Sequence, residues 1–211
     1  KNIFIGNNLL TSSLPITVGN LVLLKMLDLG RNGLTGSIPW EVGHCVLLEK
    51  LQLGHNFLTG SIPSQVGHLA QLQELVLYEN VLTGSLPSEV GSLLMLERLD
   101  LYNNTLSGTI PSQVGNLVSL RWLSLYGNAL SGSIPGEIGV LVNLYSLYLH
   151  DNALTGSIEH AFNASAQQWL EVVDLSNNLL TGHYCHDLFL LPRIRVLVLS
   201  GGMMFMLQCT Y

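Results

Sequence analysis

The chain has 211 residues and a net charge of −6, with 48% hydrophobic and only 10% charged residues, against about 25% charged in an ordinary soluble domain. It carries no basic stripe and no run of like charge, which excludes charge-driven binding to nucleic acid or to an anionic membrane surface. Three cysteines are too few for a disulfide framework.

The chain opens at Lys1 inside a repeat, with no apolar leader ahead of it. In 24-residue windows counted from Lys1, slot eight holds Asn8, Asn32, Asn56, Asn80, Asn104, Asn128 and Asn152, and the series resumes at Asn178 after a two-residue insertion. Slot twelve is glycine from Gly36 to Gly182, and slot fifteen is proline from Pro15 to Pro135. The windows define 24-residue repeats over 1–144, a 26-residue repeat over 145–170, a repeat over 171–194 and a degenerate terminal coil over 195–211, in one unit without an internal linker. Such a period, with one short strand per turn, predicts an α/β-type solenoid of about eight coils plus the degenerate one, with a parallel sheet on its concave face.

Within each repeat, slots three to five alternate Leu inward and polar outward, as in Leu27-Asp28-Leu29, and form the strand. The slot-eight amide is predicted to bond the backbone of its own and the adjoining coil, where a buried unpaired group would cost about 1–3 kcal/mol. Glycine at slot twelve allows an unusual φ, and proline at slot fifteen fixes φ near −65°. Leucines at slots three, five, ten, fourteen, twenty-one and twenty-four form a continuous apolar column, each side chain contributing roughly 1.5–3 kcal/mol. No helix longer than about two turns fits in the remainder.

Cys45 takes a leucine slot and is predicted to be a buried thiol. Cys185 and Cys209 share slot fifteen in adjacent coils, roughly 5 Å apart, so a disulfide and two buried thiols are both compatible with their placing. His183, Cys185, His186 and Asp187 are ligand types without a defined spacing, and no metal or cofactor is expected. No nucleophile motif, phosphate loop or carboxylate pair can be assembled, so no enzyme is expected. The uncharged stretch Val196–Tyr211 falls short of the ~20 residues of a spanning helix, and no membrane insertion is expected within the chain.

The string LTGSIP at Leu34–Pro39 and Leu58–Pro63, and with Leu86 for Ile at Leu82–Pro87, resembles the plant-specific class of leucine-rich repeats over residues 1–194. That resemblance implies an extracellular protein of the plasma membrane or apoplast: a receptor-like kinase or receptor-like protein ectodomain, or a secreted polygalacturonase-inhibiting protein. It further implies a short second sheet and 3-10 turns on the convex side. The implied partners are a peptide, small-molecule or protein ligand on the concave face, and a co-receptor ectodomain. The chain departs from the family in lacking paired-cysteine caps, a transmembrane segment and a kinase domain. It has Glu159 for proline, a lengthened stretch at His160–Gln168, Cys185 at the next proline slot and Gly202 for asparagine. A fragment of a longer receptor or a truncated member is therefore expected, and self-association through the uncapped ends, including Met203–Leu207, is expected of the isolated chain.

Function is sought in outward slots that the repeat does not require. Slot six reads Gly6, Gly30, Gly54, Tyr78, Tyr102, Tyr126, His150 and Ser176, with Trp122, Tyr145 and Tyr148 on the same or the next coil. These aromatics, with Asp100, Ser124, His150 and Asp151 as polar neighbours, form a candidate recognition strip. The alternative is a ladder of stacked rings that merely covers the sheet. Charges on this face are expected to neutralise one another: Lys50, Glu74 and Arg98 in slot two, and the pairs Lys25 with Glu49, Glu97 with Arg121 and Glu171 with Arg195 in slot one. Arg193-Ile194-Arg195 superficially resembles an Arg-x-Arg grip for a ligand carboxylate, but its register is wrong. Asn163 and Asn103 head glycosylation triplets. A receptor segment is the favoured reading and a polygalacturonase-inhibitor-like protein the alternative. An ice-contacting ladder would need an exposed array of Thr, and the Thr and Ser of slot eleven are expected to be engaged in the turn.

Overall fold

In a computed structural model of the chain, residues 1–159, 161–182 and 188–199 are described. The Cys185 and Cys209 pair, the cluster His183 to Asp187, Gly202 and Met203–Leu207 lie outside them.

Each repeat places one three-residue strand in a parallel sheet, running from Asn2–Phe4 through Met26–Asp28, Lys50–Gln52, Glu74–Val76, Arg98–Asp100, Trp122–Ser124, Ser146–Tyr148 and Val172–Asp174 to Val196–Val198. The register is strict, slot three facing slot three, as Leu75↔Leu99 and Leu99↔Leu123. It survives the insertion, because Ser146↔Val172 and Tyr148↔Asp174 stay paired and the two extra residues are taken up in the return path. There Phe162 fills the interior and the buried Gln167 side chain donates to the Ile138 carbonyl at 3.0 Å.

From the second coil on the six predicted leucine columns are buried or half-buried, while Ile5, Leu10 and Leu21 of the first coil are exposed. A seventh column joins them at slot eighteen, from Val18 through Val42, Val66, Val90 and Val114 to Ile138. Cys45 is fully buried, and burial pushes its thiol pKa up. Each slot-fifteen proline, with φ between −63° and −74°, leads into a five-residue 3-10 turn such as Ser88–Ser92. Slot-twelve glycines have φ of +73° to +110°. In the first coil that slot is Ser12, held at φ 81°. A left-handed conformation costs a non-glycine residue about 1–2 kcal/mol, whereas glycine loses about 0.5–1 kcal/mol of chain entropy on ordering. Ser12→Gly is therefore expected to raise stability by about 0.5 kcal/mol in urea unfolding; a lower midpoint would show that the Ser12 backbone is not strained.

The expected short second sheet is present, divided into two pieces. Thr11–Ser13 pairs with Gly33–Thr35 at one end, and Ser107–Thr109, Ala129–Gly132, Ala153–Ser157 and Leu179–Thr181 form a separate four-stranded sheet. Between them lie an isolated bridge, Ser37↔Thr59, and backbone hydrogen bonds such as Thr83 N–H to Gly60 O at 2.9 Å. On this side even slots point inward, with Leu or Ile at ten and fourteen, while slots nine, eleven and thirteen are outward. Most slot-eleven hydroxyls are thus not tied into the turn as expected: Thr35, Thr59, Thr83, Thr155 and Thr181 are exposed, whereas Ser131 Oγ donates to Gly108 O at 3.4 Å.

Candidate functional site

The slot-eight ladder positions everything on the long sheet. Asn104 Nδ2 donates to Leu101 O (3.0 Å) and Tyr102 O (3.3 Å) of its own coil and to Leu77 O (3.1 Å) of the preceding one, and its Oδ1 accepts from Leu82 N–H at 3.0 Å. Asn56, Asn80, Asn128, Asn152 and Asn178 repeat the pattern, whereas Asn8 bonds only Ile5 O and Gly6 O of the first coil. Slot seven must then turn left-handed, with φ of 49° to 57° at Asn7, Arg31, His55, Glu79, Asn103, Asp151 and Asn177. This fixes the slot-six side chains upright on the sheet.

Their rings stack in one pile. Tyr78 and Tyr102 lie 4.7 Å apart at 3°, Tyr102 and Tyr126 4.5 Å at 6°, and Tyr126 and His150 4.2 Å at 12°. Tyr148 meets His150 edge-on at 6.3 Å and lies 5.1 Å from Trp122, which carries the Arg98 guanidinium 5.4 Å above its ring. At its other end the pile overhangs bare sheet, because a Cβ at Gly54 would sit 2.8 Å from Tyr78. Burial, and then the neighbouring Tyr126, push the Tyr102 pKa up, and burial likewise raises Tyr126. Both hydroxyls are therefore protonated donors at neutral pH. His150 Nδ1 is 3.4 Å from Asp174.

Three candidate residues are not where the sequence put them. Asp100 and Ser124 are 0% and 1% exposed beneath the pile, so no ligand can touch them while the rings are stacked. Burial raises the Asp100 pKa, and Arg98, 2.6 Å from Asp100 Oδ2, opposes that shift. Tyr145 stands outside the strip, its hydroxyl donating to Glu171 Oε2 at 2.8 Å, in a cavity of about 530 Å³ that it lines with Arg121, Trp122, Asn143 and Trp169. Trp169 escaped the sequence reading because it precedes a leucine in the lengthened repeat; it is 51% exposed and stacks under Arg193 at 4.0 Å. Asp151 accepts from Asn177 Nδ2 at 2.7 Å on the rim.

The charge pairs Lys25–Glu49, Lys50–Glu74 and Arg195–Glu171 form, and Arg121 lies 3.8 Å from Glu97. Arg98 turns to Asp100 of its own strand instead of to Glu74, and His55–Glu79 is a pair that sequence reasoning missed. The two glycosylation candidates are exposed. Asn103 lies over Gly127 beside the pile, and Asn163 Oδ1 accepts from Ser165 N–H and Ala166 N–H.

The strand register, the asparagine ladder and the Gly-to-Pro return together define a leucine-rich-repeat solenoid. Five segments, residues 23–45, 47–69, 71–93, 95–117 and 119–141, match the family described as Leucine Rich Repeat, and the chain belongs to that family. No curated protein matches the sequence. Among solved structures, a plant peptide hormone receptor, RGFR1 in complex with RGF2, is 31% identical with a TM-score of 0.93, over 97% of this chain and 32% of that one. The ectodomain of the Arabidopsis receptor kinase HAESA, in complex with an N-terminally extended IDA peptide hormone, is 35% identical with a TM-score of 0.87, over 95% of this chain and 33% of that one. A plant ice-binding protein is 25% identical with a TM-score of 0.83, over 94% of this chain and 63% of that one. The chain thus spans about a third of the length of the two receptors. Among the described residues no helix is long and apolar enough to cross a membrane.

Proposed function

We propose that the chain is the ligand-recognition segment of an extracellular plant receptor-kinase ectodomain and that an extended peptide lies across the pile from Tyr78 to His150, flanked by Trp122, Tyr148 and Asp151. The observation that carries this reading is the preorganised stack itself: four rings held within 12° of their neighbours present flat apolar area, with hydroxyls whose rotamer entropy is already lost. The neutralised charges leave the aromatic surface to dominate the face, and the similar RGFR1 and HAESA ectodomains were solved with peptide hormones. The same extracellular setting would place a glycan on Asn163, on the lengthened return path.

The two readings of the tyrosines are not exclusive, since a stacked ladder can also be a binding surface. Replacing both Tyr102 and Tyr126 with Ala is expected to cost about 1–2 kcal/mol of stability through lost stacking, and to weaken a peptide selected from a secreted-peptide library by about 2 kcal/mol or more. The double Phe variant keeps the stack, so its stability should stay within about 0.5 kcal/mol of wild type, and any affinity it loses reports the hydroxyls. Unchanged peptide affinity in the Ala variant, measured by calorimetry, would move the site elsewhere.

A second reading, contact with ice, has one specific observation in its favour: an exposed hydroxyl face on the short second sheets, apart from the long sheet's strip, in a chain similar to a plant ice-binding protein.

A further inference from the structure

The outward slots of the return side carry a pattern that the fold does not demand. Gly at slot twelve is required by its positive φ, and Leu or Ile at slot fourteen by burial. Slot thirteen points to solvent and tolerates any polar residue, yet from Ser13 to Ser157 all seven copies are Ser or Thr. Slot eleven is Thr or Ser in all eight copies, and slots nine, eleven and thirteen contain no charged residue in the described coils. An uncharged solvent face of this length runs against the usual need of a surface for charge.

The register turns these residues into a ladder. Adjacent coils are offset by two residues, so slot thirteen of one coil faces slot eleven of the next: Ser13↔Thr35, Ser37↔Thr59, Ser131↔Thr109 and Thr181↔Ser157. Each inter-coil gap is thereby bridged by a pair of hydroxyls, repeating at the strand spacing of roughly 4.8 Å, with the next pair one i to i+2 step along, roughly 6.6–7 Å. Among the described residues the hydroxyls of Thr35, Ser37, Thr59, Ser61, Thr83 and Ser85 donate to no protein atom, whereas Ser131 Oγ donates to Gly108 O at 3.4 Å and Ser157 Oγ accepts from Glu159 N–H at 3.1 Å. Beside them slot nine presents Phe57, Val81, Ala129 and Ala153, all exposed.

We propose that this ladder, from the Ser37–Thr59 pair to the Ser157–Thr181 pair, is the surface that adsorbs to ice; the assignment rests on the second reading above. Hydroxyls fixed at a regular spacing on a rigid backbone, interleaved with methyl groups and free of charge, hold first-layer water in a repeating arrangement that can merge with a crystal face. A charge would instead orient water about itself and break the repeat. Many weak contacts add along the ladder because the scaffold keeps them in phase, as in multivalent binding.

The test is inhibition of ice recrystallisation by the purified chain, with Ser61→Lys/Ser85→Lys on the ladder and Gln65→Lys/Ser88→Lys on the 3-10 turns, which add the same charge off the ladder. The wild type and the turn variant are expected to inhibit equally, and the ladder variant to require at least roughly tenfold more protein, because each exposed ammonium orients water about itself and excludes the ordered layer, while its melting curve is unchanged. Absence of inhibition by the wild type overturns the ice reading itself. Inhibition lost equally in both variants, or in neither, leaves that reading standing and overturns the surface. Retention of the chain on crystalline cellulose but not in ice, abolished by the ladder variant alone, would assign the ladder to a polysaccharide surface instead.

Discussion

Gly91→Ala is expected to cost about 3 kcal/mol or more, at the upper end of what overpacking causes. A Cβ there would lie 2.4 Å from the backbone oxygen of Gln113 in the next coil, and no side-chain rotation relieves a clash between two backbones. Gly19, Gly43, Gly67 and Gly115 are in the same position, with backbone oxygens 2.5–2.7 Å away. Gly139 occupies the same slot but faces the lengthened repeat, and its Cβ would find nothing nearer than 3.4 Å. Gly139→Ala should therefore be neutral, or stabilising by up to about 1 kcal/mol through the unfolded chain. Urea denaturation of the two variants decides the matter. Equal midpoints would mean that the coils can separate at the 3-10 turns without cost, and the close-approach argument would be wrong.

Asn104→Ala is expected to lower stability by about 1–3 kcal/mol, since it leaves Leu82 N–H bare inside the solenoid, whereas Leu77 O keeps its bond from Asn80 Nδ2. Neighbouring coils share these bonds, so the loss falls on an interface between repeats and spreads along the stack. Asn8→Ala is the matched control. Asn8 is exposed and bonds only its own coil, so about 1 kcal/mol or less is expected. If the two variants unfolded at the same denaturant concentration, the inter-coil bonds would be contributing nothing beyond the local turn.

The repeat made the architecture legible from residues alone, because a 24-residue period allows each slot only one environment. Leucine at slot three had to be inside, asparagine at slot eight had to serve two coils, and glycine and proline had to shape the return, each for a reason of local chemistry. The pairing of Lys25 with Glu49 was readable in the same way, since equal slots in adjacent windows become neighbours. What the sequence by itself could not determine was which outward residues are outward in fact. Asp100 occupies a slot that Gln52 and Asp28 share, yet lies buried because tyrosines rise on both sides of it, a matter of side-chain packing across three coils. Trp169 and Tyr145 meet only because the two extra residues of one repeat are absorbed on the return path. The two-residue offset that brings slot thirteen against slot eleven is likewise invisible in aligned windows, because it arises from the tilt of the return path between coils, which only the stacked structure possesses.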